Sequence, residues 1–340
     1  MRSLDDSARD PMHTAPMVDS TVRIGRATKG GGAVVGPGSV IGFVGTGVMG
    51  SAMAGHLLDV GYSLRVHNRT ASRAADLVKR GAVWCRTAGQ VAVGAEAVIT
   101  IVGYPADVEE VYLSHGGILE SASPDCIVID MTTSTPSLAM RIAREALEHD
   151  LTALDAPVSG GDVGARNAKL TIMVGGDREA FEAVEPMLRV LGPNVVFQGG
   201  PGAGQHTKMA NQIAIANTIV GVCESLVYAE AAGLDPRLML KSIEAGSAGS
   251  WQLTNYAPRM LEGDFAPGFY VKHFIKDMRI AKAEAELRNT ILPGLDLALE
   301  MFEELSRRGG ADRGIHALYL LYKARSVPSY YIDAITEPDV

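Results

Sequence analysis

The chain has 340 residues, of which 47% are hydrophobic and 21% charged, so it can bury a full core and is long enough for two domains. Its net charge of −8, without a basic stripe, disfavours a nucleic-acid partner, and no uninterrupted apolar run reaches the roughly 18 residues that a membrane span needs. The three cysteines, Cys85, Cys126 and Cys223, are widely spaced, which disfavours a disulfide framework or a metal site.

Residues 1–38 are predicted to form a disordered N-terminal tail. Asp and Arg residues are interspersed there without hydrophobic periodicity, and Gly30-Gly31-Gly32 follows them. The tail lacks the apolar core of a signal peptide, although its arginines leave an organellar transit peptide as an alternative. Unpaired cysteines suit a reducing compartment, so we expect a cytoplasmic protein.

A glycine-rich turn follows the first strand-like run. Val40 to Val44 leads into Gly45-Thr46-Gly47-Val48-Met49-Gly50, and a helix-like run comes next. In this pattern the first glycine permits a tight turn, the second lets the backbone approach a pyrophosphate, and the third lets helix and strand pack closely. The six residues therefore predict a dinucleotide-binding site.

The second strand-like run ends at Asn68-Arg69-Thr70, about where a dinucleotide would present its ribose. Proteins that bind NAD usually carry an Asp or Glu there, and this chain has none. A guanidinium can bind an additional 2′-phosphate through two parallel hydrogen bonds. We predict NADP(H) over NAD(H), with Arg69 as the phosphate ligand; the alternative is that Arg69 is a solvated surface residue.

Strand-like and helix-like runs then alternate, which predicts a mostly parallel sheet with helices on both faces. The predicted strands are Ala97 to Val102, Cys126 to Met131, Leu151 to Ala156, Leu170 to Val174 and Val195 to Phe197. The predicted helices are Ala106 to Leu113, Pro136 to Glu148 and Arg178 to Leu191. Val102 and Gly103, where the first of these strands ends, are assigned to the cofactor. This nucleotide-binding domain spans residues 39–200.

Beyond the glycine-rich break that ends at Gly204, the hydrophobic period becomes helical. A long helix is predicted from His206 to Ala232, closed by Gly233. Further helices are predicted at Pro236 to Glu244, Trp251 to Leu261, Lys272 to Leu287 and Pro293 to Arg308. We therefore expect an all-helical domain over residues 201–325 and a C-terminal tail over residues 326–340.

A serine-glycine motif, Asp155-Ala156-Pro157-Val158-Ser159-Gly160-Gly161, follows a predicted strand. The carboxyl ends of strands in open α/β sheets are where ligands bind. The hydroxyl of Ser159 and the backbone N–H groups of Gly160 and Gly161 could receive a carboxylate. A plain serine-glycine turn is the alternative.

Lys208, Asn211 and Gln212 stand at helical spacing near the start of the long apolar helix, so they project from one face. A lysine in that setting could lie in a cleft between the domains and transfer a proton to or from a substrate oxygen. Alternatively, its side chain extends to solvent at the helix end.

Four motifs occur in order between Val40 and Lys323: the glycine turn, the serine-glycine motif, the segment from Gly202 to Gln212, and His273-Phe274-Ile275-Lys276-Asp277-Met278. On these motifs the chain resembles the β-hydroxyacid dehydrogenase family, which includes 3-hydroxyisobutyrate dehydrogenase, tartronate semialdehyde reductase and glyoxylate/succinic semialdehyde reductase. The resemblance implies an α/β Rossmann domain with a parallel sheet, joined by a long helix to an all-α C-terminal domain. It also implies a homodimer or homotetramer.

The resemblance further implies hydride transfer between a nicotinamide and a short 3-hydroxy acid or its semialdehyde, with a small carboxylate-bearing substrate. The implied catalytic group is Lys208, with Asn211 and Gln212 beside it. The other implied roles are substrate carboxylate binding by Ser159, Gly160 and Gly161, a position near nicotinamide and substrate for Thr133, cofactor contact by Lys276, and closure of the substrate pocket by Phe269 and Asp277.

Two positions depart from the family pattern. Gln212 stands where many members have a second Asn, and Lys169 follows the serine-glycine motif where a Thr is usual. Lys169 is either a structural variant away from the pocket or a charge that alters substrate choice. Imine reductases and non-catalytic cofactor-binding modules of related sequence are the alternative functions, and both usually lack a lysine at the position of Lys208.

Overall fold

A computed structural model describes residues 34–326, which contain nine strands and fifteen α-helices. The strands are β1 (Val40–Val44), β2 (Ser63–His67), β3 (Val83–Trp84), β4 (Ala97–Thr100), β5 (Ile127–Asp130), β6 (Thr152–Asp155), β7 (Val158–Ser159), β8 (Thr171–Gly176) and β9 (Asn194–Gly199). The helices among them are α1 (Val48–Asp59), α2 (Ala75–Lys79), α3 (Ala88–Ala92), α4 (Pro105–Leu113), α5 (Ile118–Ser121), α6 (Pro136–Glu148), α7 (Gly161–Arg166) and α8 (Arg178–Arg189). The helices after the sheet are α9 (Ala203–Ala231), α10 (Pro236–Ile243), α11 (Trp251–Asn255), α12 (Ala257–Glu262), α13 (Val271–Glu286), α14 (Pro293–Leu305) and α15 (Leu318–Ser326).

The sheet is parallel over its first six strands, in the order β3-β2-β1-β4-β5-β6. β8 runs antiparallel to β6 and β7, and β9 is parallel to β8. The strand order reverses beside β1, which pairs with β2 on one side and with β4 on the other. Such a reversal opens a crevice at the carboxyl ends of the two central strands, where open α/β sheets bind ligands. The predicted Rossmann-type fold is confirmed.

Both faces of the sheet are buried because helices cover each of them. Ile41 and Phe43 of β1 belong to one hydrophobic cluster with helices α1 and α8. Val44 and Val98 belong to a second cluster, on the opposite face, with residues of α4 and α6. This two-sided burial explains why the strands read as nearly continuous apolar runs in the sequence.

The described chain begins within the predicted N-terminal tail. Val35 is 4% exposed, and its backbone N–H donates to the carbonyl oxygen of Ala183. Its own carbonyl oxygen accepts from the Tyr62 hydroxyl. Residues 34–38 therefore pack on the sheet domain, whereas the rest of the predicted tail, residues 1–33, lies outside the described residues. Most of the predicted C-terminal tail, residues 327–340, also lies outside them.

The region after the sheet is helical, as predicted, and a third hydrophobic cluster fills it. The predicted helix from Trp251 to Leu261 is interrupted at Tyr256 and forms α11 and α12. Pro258 explains the interruption, because proline has no backbone N–H to continue the helical ladder. Seven short elements were not predicted from the sequence: α2, β3, α3, α5, β7, α7 and the C-terminal α15.

The 29-residue helix α9 connects the two regions. Among residues 34–326, it is the one helix long and apolar enough, by length and composition, to cross a membrane. In this structure α9 packs against β8 of the sheet and against α13, α14 and α15. It therefore carries residues of its first turns to the edge of the sheet while its middle forms part of the helical core.

Candidate active site

The glycine turn lies between β1 and α1, at the crevice. Gly45 has a φ of +99°, and a side chain there would clash with the carbonyl oxygen of Ile101. A Cβ on Gly50 would clash with the carbonyl oxygen of Gly45. A Cβ on Gly47, in contrast, would meet nothing within 4 Å. The first and third glycines are thus required by packing, while the second keeps the backbone accessible from the crevice.

The surroundings of this turn fit a bound phosphate group. The Thr46 hydroxyl oxygen is buried without a hydrogen-bond partner among the described residues. Helix α1 starts after Gly47 with no side chain capping its N-terminus, so its first N–H groups are unsatisfied there. Val48, at the first helical position, is 61% exposed, and Met49 is half-buried. An uncapped helix N-terminus beside an unpaired hydroxyl is a suitable site for the pyrophosphate of a dinucleotide.

The loop after β2 is shaped by Asn68. Its side-chain oxygen accepts from the Thr46 N–H at 3.1 Å, and its amide nitrogen donates to the Thr70 carbonyl oxygen at 2.9 Å. The Arg69 side chain is 89% exposed and lies 3.5 Å from Asp107 Oδ1 on α4. Asn68 therefore ties the glycine turn to the loop after β2, and the guanidinium of Arg69 is exposed to solvent.

A buried acid supports the next two loops. Asp130 Oδ1 accepts from the Thr132 N–H at 3.0 Å and from the Thr100 hydroxyl at 2.8 Å. The Thr132 hydroxyl in turn accepts from the Val102 N–H at 2.9 Å, which fixes the backbone before Gly103. Burial raises the pKa of Asp130 to about 6. Asp130 thus holds the β4–α4 loop, a predicted cofactor contact, against the β5–α6 loop.

Helix α13 contacts the same two loops. Lys276 Nζ donates to the Thr133 carbonyl oxygen at 2.6 Å and lies 3.0 Å from Asp277 Oδ1. Tyr104 of the β4–α4 loop packs on His273, with ring centroids 5.5 Å apart. Burial, together with the charge of Lys276, lowers the pKa of His273. The structure therefore brings Lys276 and Thr133 together at the crevice, although 143 positions separate them in sequence.

Lys208 lies between the sheet edge and α13, on the second turn of α9. It is 6% exposed, and within residues 34–326 its ammonium makes no hydrogen bond. Burial lowers the pKa of Lys208 to about 8; the Asp277 carboxylate opposes this shift and the Lys276 ammonium adds to it. A buried amine with this pKa can exist in both protonation states near neutral pH, as a general acid or base requires.

The two predicted amides form a chain that leads to α13. Asn211 Nδ2 donates to Gln212 Oε1 at 2.7 Å, and Gln212 Nε2 donates to Asp277 Oδ2 at 2.6 Å. Gln212 is 0% exposed and Asp277 is 1% exposed. The carboxylate of Asp277 is therefore held by Gln212 and Lys276 and acts on Lys208 through its charge.

The serine-glycine motif forms a turn between β7 and α7. Gly160 and Gly161 have φ values of +124° and +61°, which favour glycine. Ser159 is half-buried at the end of β7. A Cβ on Gly161 would lie 3.5 Å from the carbonyl oxygen of Gly268, next to Phe269 in the segment before α13. The motif thus lies against the segment that precedes α13.

Phe269 itself is half-buried and packs on Phe274 of α13, with ring centroids 5.5 Å apart. Lys169 is exposed, and its backbone lies against Gly160 and Gly164. The Lys169 ammonium is therefore not part of the buried group of side chains around Lys208.

Three supporting residues were given no role from the sequence: Asp130, Gln205 and Asp155, which was named only as the first residue of the serine-glycine motif. Asp155 caps α9, because its two oxygens accept from the Gly202 N–H at 2.7 Å and the Gln205 N–H at 2.8 Å. Burial raises the pKa of Asp155 to about 6 against these hydrogen bonds. In the sequence, one feature could have indicated a role for Asp130 and Asp155: each is an acidic residue at the end of an apolar strand.

No group of three or more His, Cys, Asp or Glu side chains that could hold a metal ion is found within residues 34–326. The glycine turn, the Asn68 loop and the β4–α4 loop would hold a dinucleotide along the crevice.

Two family models together match most of the chain. One, described as the NAD-binding domain of 6-phosphogluconate dehydrogenase, matches residues 40–200. The other, described as the NAD-binding region of NADP-dependent 3-hydroxyisobutyrate dehydrogenase, matches residues 202–322.

Curated and solved proteins match over nearly their full length. An uncharacterized oxidoreductase of Bacillus subtilis is 53% identical, over 83% of this chain and 98% of its own. The 2-hydroxy-3-oxopropionate reductase of Escherichia coli is 37% identical, over 82% of this chain and 95% of its own. A 3-hydroxyisobutyrate dehydrogenase of Mycobacterium tuberculosis, solved with L-serine, has a TM-score of 0.78 at 27% identity and covers 84% of this chain and 100% of its own.

Proposed function

This chain belongs to the β-hydroxyacid dehydrogenase family, and we propose that it is an NADP(H)-dependent member that interconverts a short 3-hydroxy acid and its semialdehyde. The family makes it a nicotinamide-dependent hydroxyacid dehydrogenase; the preference for NADP(H) and the role of Lys208 are the proposed parts. The substrate class is proposed from the relatives, which are named for 3-hydroxyisobutyrate and for 2-hydroxy-3-oxopropionate.

The observation that carries this proposal is the environment of Lys208. Lys208 is 6% exposed, and no hydrogen bond of its ammonium is found within residues 34–326, so the ammonium is available for a substrate oxygen. Its lowered pKa suits a group that both gives and takes a proton. A lysine that merely extended to solvent would be exposed and would keep an ordinary pKa.

The cofactor would supply or accept the hydride. In the reductive direction, Lys208 Nζ donates its proton to the carbonyl oxygen of the aldehyde, which becomes the hydroxyl of the product. In the oxidative direction, the neutral amine accepts the hydroxyl proton. Lys276 holds the Thr133 loop in place, and the charge of Asp277 keeps part of the Lys208 population protonated.

The turn that contains Ser159, Gly160 and Gly161 is proposed to bind the substrate carboxylate. Its N–H groups and the Ser159 hydroxyl lie at the carboxyl end of the sheet, opposite the loop of Gly268 and Phe269. A carboxylate bound there would orient a short chain toward the crevice, which supports the proposal of small 3-hydroxy acids as substrates.

The proposal is tested by following NADPH and NADH oxidation with glyoxylate and with the semialdehydes of succinate, tartronate and methylmalonate. Turnover of at least one aldehyde is expected with NADPH. A cyclic imine is added to the panel. If the protein binds NADPH tightly but turns over neither the aldehydes nor the imine, an enzymatic role is contradicted and a non-catalytic module is favoured. Turnover of the imine alone would assign the chain to imine reduction.

Arg69→Ala is expected to raise the KM for NADPH by about 10- to 100-fold, since a charge-assisted hydrogen bond to phosphate contributes about 1.5–3 kcal/mol. The KM for NADH should change little, because NADH lacks the 2′-phosphate. The matched control is Arg166→Ala, which removes an exposed arginine from α7. An equal rise in the KM for NADPH and the KM for NADH would contradict the proposed phosphate contact.

A further inference from the structure

We infer that Gln205 is a positioning residue for the proposed reaction: its buried amide holds the loop that carries Thr133 at a fixed place relative to Lys208. This inference rests on the proposed function of Lys208 as the proton donor. Gln205 was not identified from the sequence, and its side chain is fully buried.

The first observation is a row of polar side chains on the buried face of α9, a face that is apolar from Ala216 to Ala229. Gln205, Lys208 and Gln212 are spaced by three and four residues, so they share one face of α9. Their exposures are 0%, 6% and 0%. The two amides bond in opposite directions, Gln205 to the sheet domain and Gln212 to α13. Lys208 therefore stands between two side chains that tie its helix to the two walls of the site.

The second observation is that the side chain of Gln205 makes two hydrogen bonds to the backbone of the β5–α6 loop. Its Nε2 donates to the Thr132 carbonyl oxygen at 2.7 Å, and its Oε1 accepts from the Ser134 N–H at 3.0 Å. These groups lie on either side of Thr133, whose own carbonyl oxygen accepts from Lys276. The backbone on both sides of Thr133 is thus held from α9, and Thr133 itself is held from α13.

The third observation is that Gln205 is itself immobilised. Its backbone N–H donates to Asp155 Oδ2 at 2.8 Å, within the cap that fastens α9 to β6. The distance between Lys208 and the loop is therefore set by hydrogen bonds along one short helical turn. A misplacement of about 1 Å between a catalytic group and its substrate can lower a rate by about 10²-fold. Loss of the hydrogen bonds of Gln205 should therefore lower the rate of the reaction.

Two variants of similar size test the inference. Gln205→Met fills the same space without hydrogen bonds and is expected to lower kcat by about 10- to 100-fold, with KM values nearly unchanged. In Gln205→Glu, the protonated carboxyl can still donate to Thr132 O and accept from Ser134 N–H, whereas the ionised form cannot donate. Its kcat should therefore be near the native value at low pH and should fall toward that of Gln205→Met as pH rises.

Other charged or ionisable groups lie on the elements packed around Gln205, namely Asp130 on β5, Asp155 on β6, Lys276 and Asp277 on α13, and Lys208 on α9 itself. The pH profile of the native enzyme is therefore the reference for each variant. Gln198→Glu is the charge-matched control, because Gln198 is exposed and its Oε1 accepts from the Thr207 hydroxyl of α9. Its profile should follow that of the native enzyme.

A native kcat in Gln205→Met, or a Gln205→Glu profile parallel to the native one, would overturn the inference. If Gln205→Met does not fold, as judged by circular dichroism and NADPH binding, the profile of Gln205→Glu decides alone. Lys208→Met is measured alongside. If Lys208→Met loses turnover while the Gln205 variants behave like the native enzyme, only this inference is overturned. If Lys208→Met retains a native kcat, the proposed proton transfer by Lys208 is overturned.

Discussion

Lys208→Met is expected to lower kcat by about 10²- to 10⁴-fold, the range that general acid–base catalysis typically contributes. Methionine has nearly the same length as lysine but cannot carry a proton. Because Lys208 is buried, solvent cannot readily take over its role as proton donor. NADPH binding, measured by fluorescence titration, should stay close to the native value, because the cofactor loops are formed by other residues.

The matched control is Lys241→Met, which removes an exposed lysine from α10 and should leave kcat unchanged. A native kcat in Lys208→Met would contradict the proposed proton transfer. A loss of NADPH binding in that variant would instead indicate a structural role for the lysine.

The pH dependence follows from the pKa of about 8 for Lys208. Reduction needs the protonated amine, and this pKa belongs to the enzyme without substrate. The kcat/KM for aldehyde reduction should therefore be highest below about pH 8 and fall above it. Oxidation needs the neutral amine, so its kcat/KM should rise through the same range. Because the Asp277 carboxylate raises this pKa, Asp277→Asn should shift the pH profiles of both reactions to lower pH. Profiles that do not shift would contradict the electrostatic role of Asp277.

Asp155→Ala is expected to lower the free energy of unfolding by about 2–4 kcal/mol, as measured in urea. The substitution leaves the N–H groups of Gly202 and Gln205 without an acceptor in a buried place. Each such group costs about 1–3 kcal/mol, and removal of a carboxylate whose burial is itself unfavourable offsets part of this loss.

Asp235→Ala provides the comparison. Asp235 also caps a helix, with its Oδ1 accepting from the Arg237 and Leu238 N–H groups at the start of α10, but it is exposed. Water can replace the lost acceptor there, so the expected cost is only about 1 kcal/mol. Equal effects of the two substitutions would contradict the role of Asp155 as a buried anchor of α9.

The preference for NADP(H), the homo-oligomeric state and the cytoplasmic location stay predictions. The roles of Ser159, Gly160, Gly161 and Phe269 in substrate binding are likewise proposals, which the aldehyde panel and variants of this turn can test.

Short-range patterns were sufficient to identify the fold and the cofactor class. The glycine turn between Val44 and Val48 and the change of hydrophobic period after Gly204 are both read within a few residues, because turns and helix or strand periods depend on neighbouring positions. The long helix, predicted from His206 to Ala232, is observed as Ala203–Ala231 for the same reason.

Contacts between distant segments decided how the site is built. The bonds from Gln212 to Asp277, Gln205 to Thr132 and Lys276 to Thr133 join residues 65, 73 and 143 positions apart, and no local pattern specifies such pairs. The same holds for Lys208. Its sequence neighbours allowed either a buried or a solvated ammonium, and the packing of α9 between the sheet and α13 is what removes it from water and lowers its pKa.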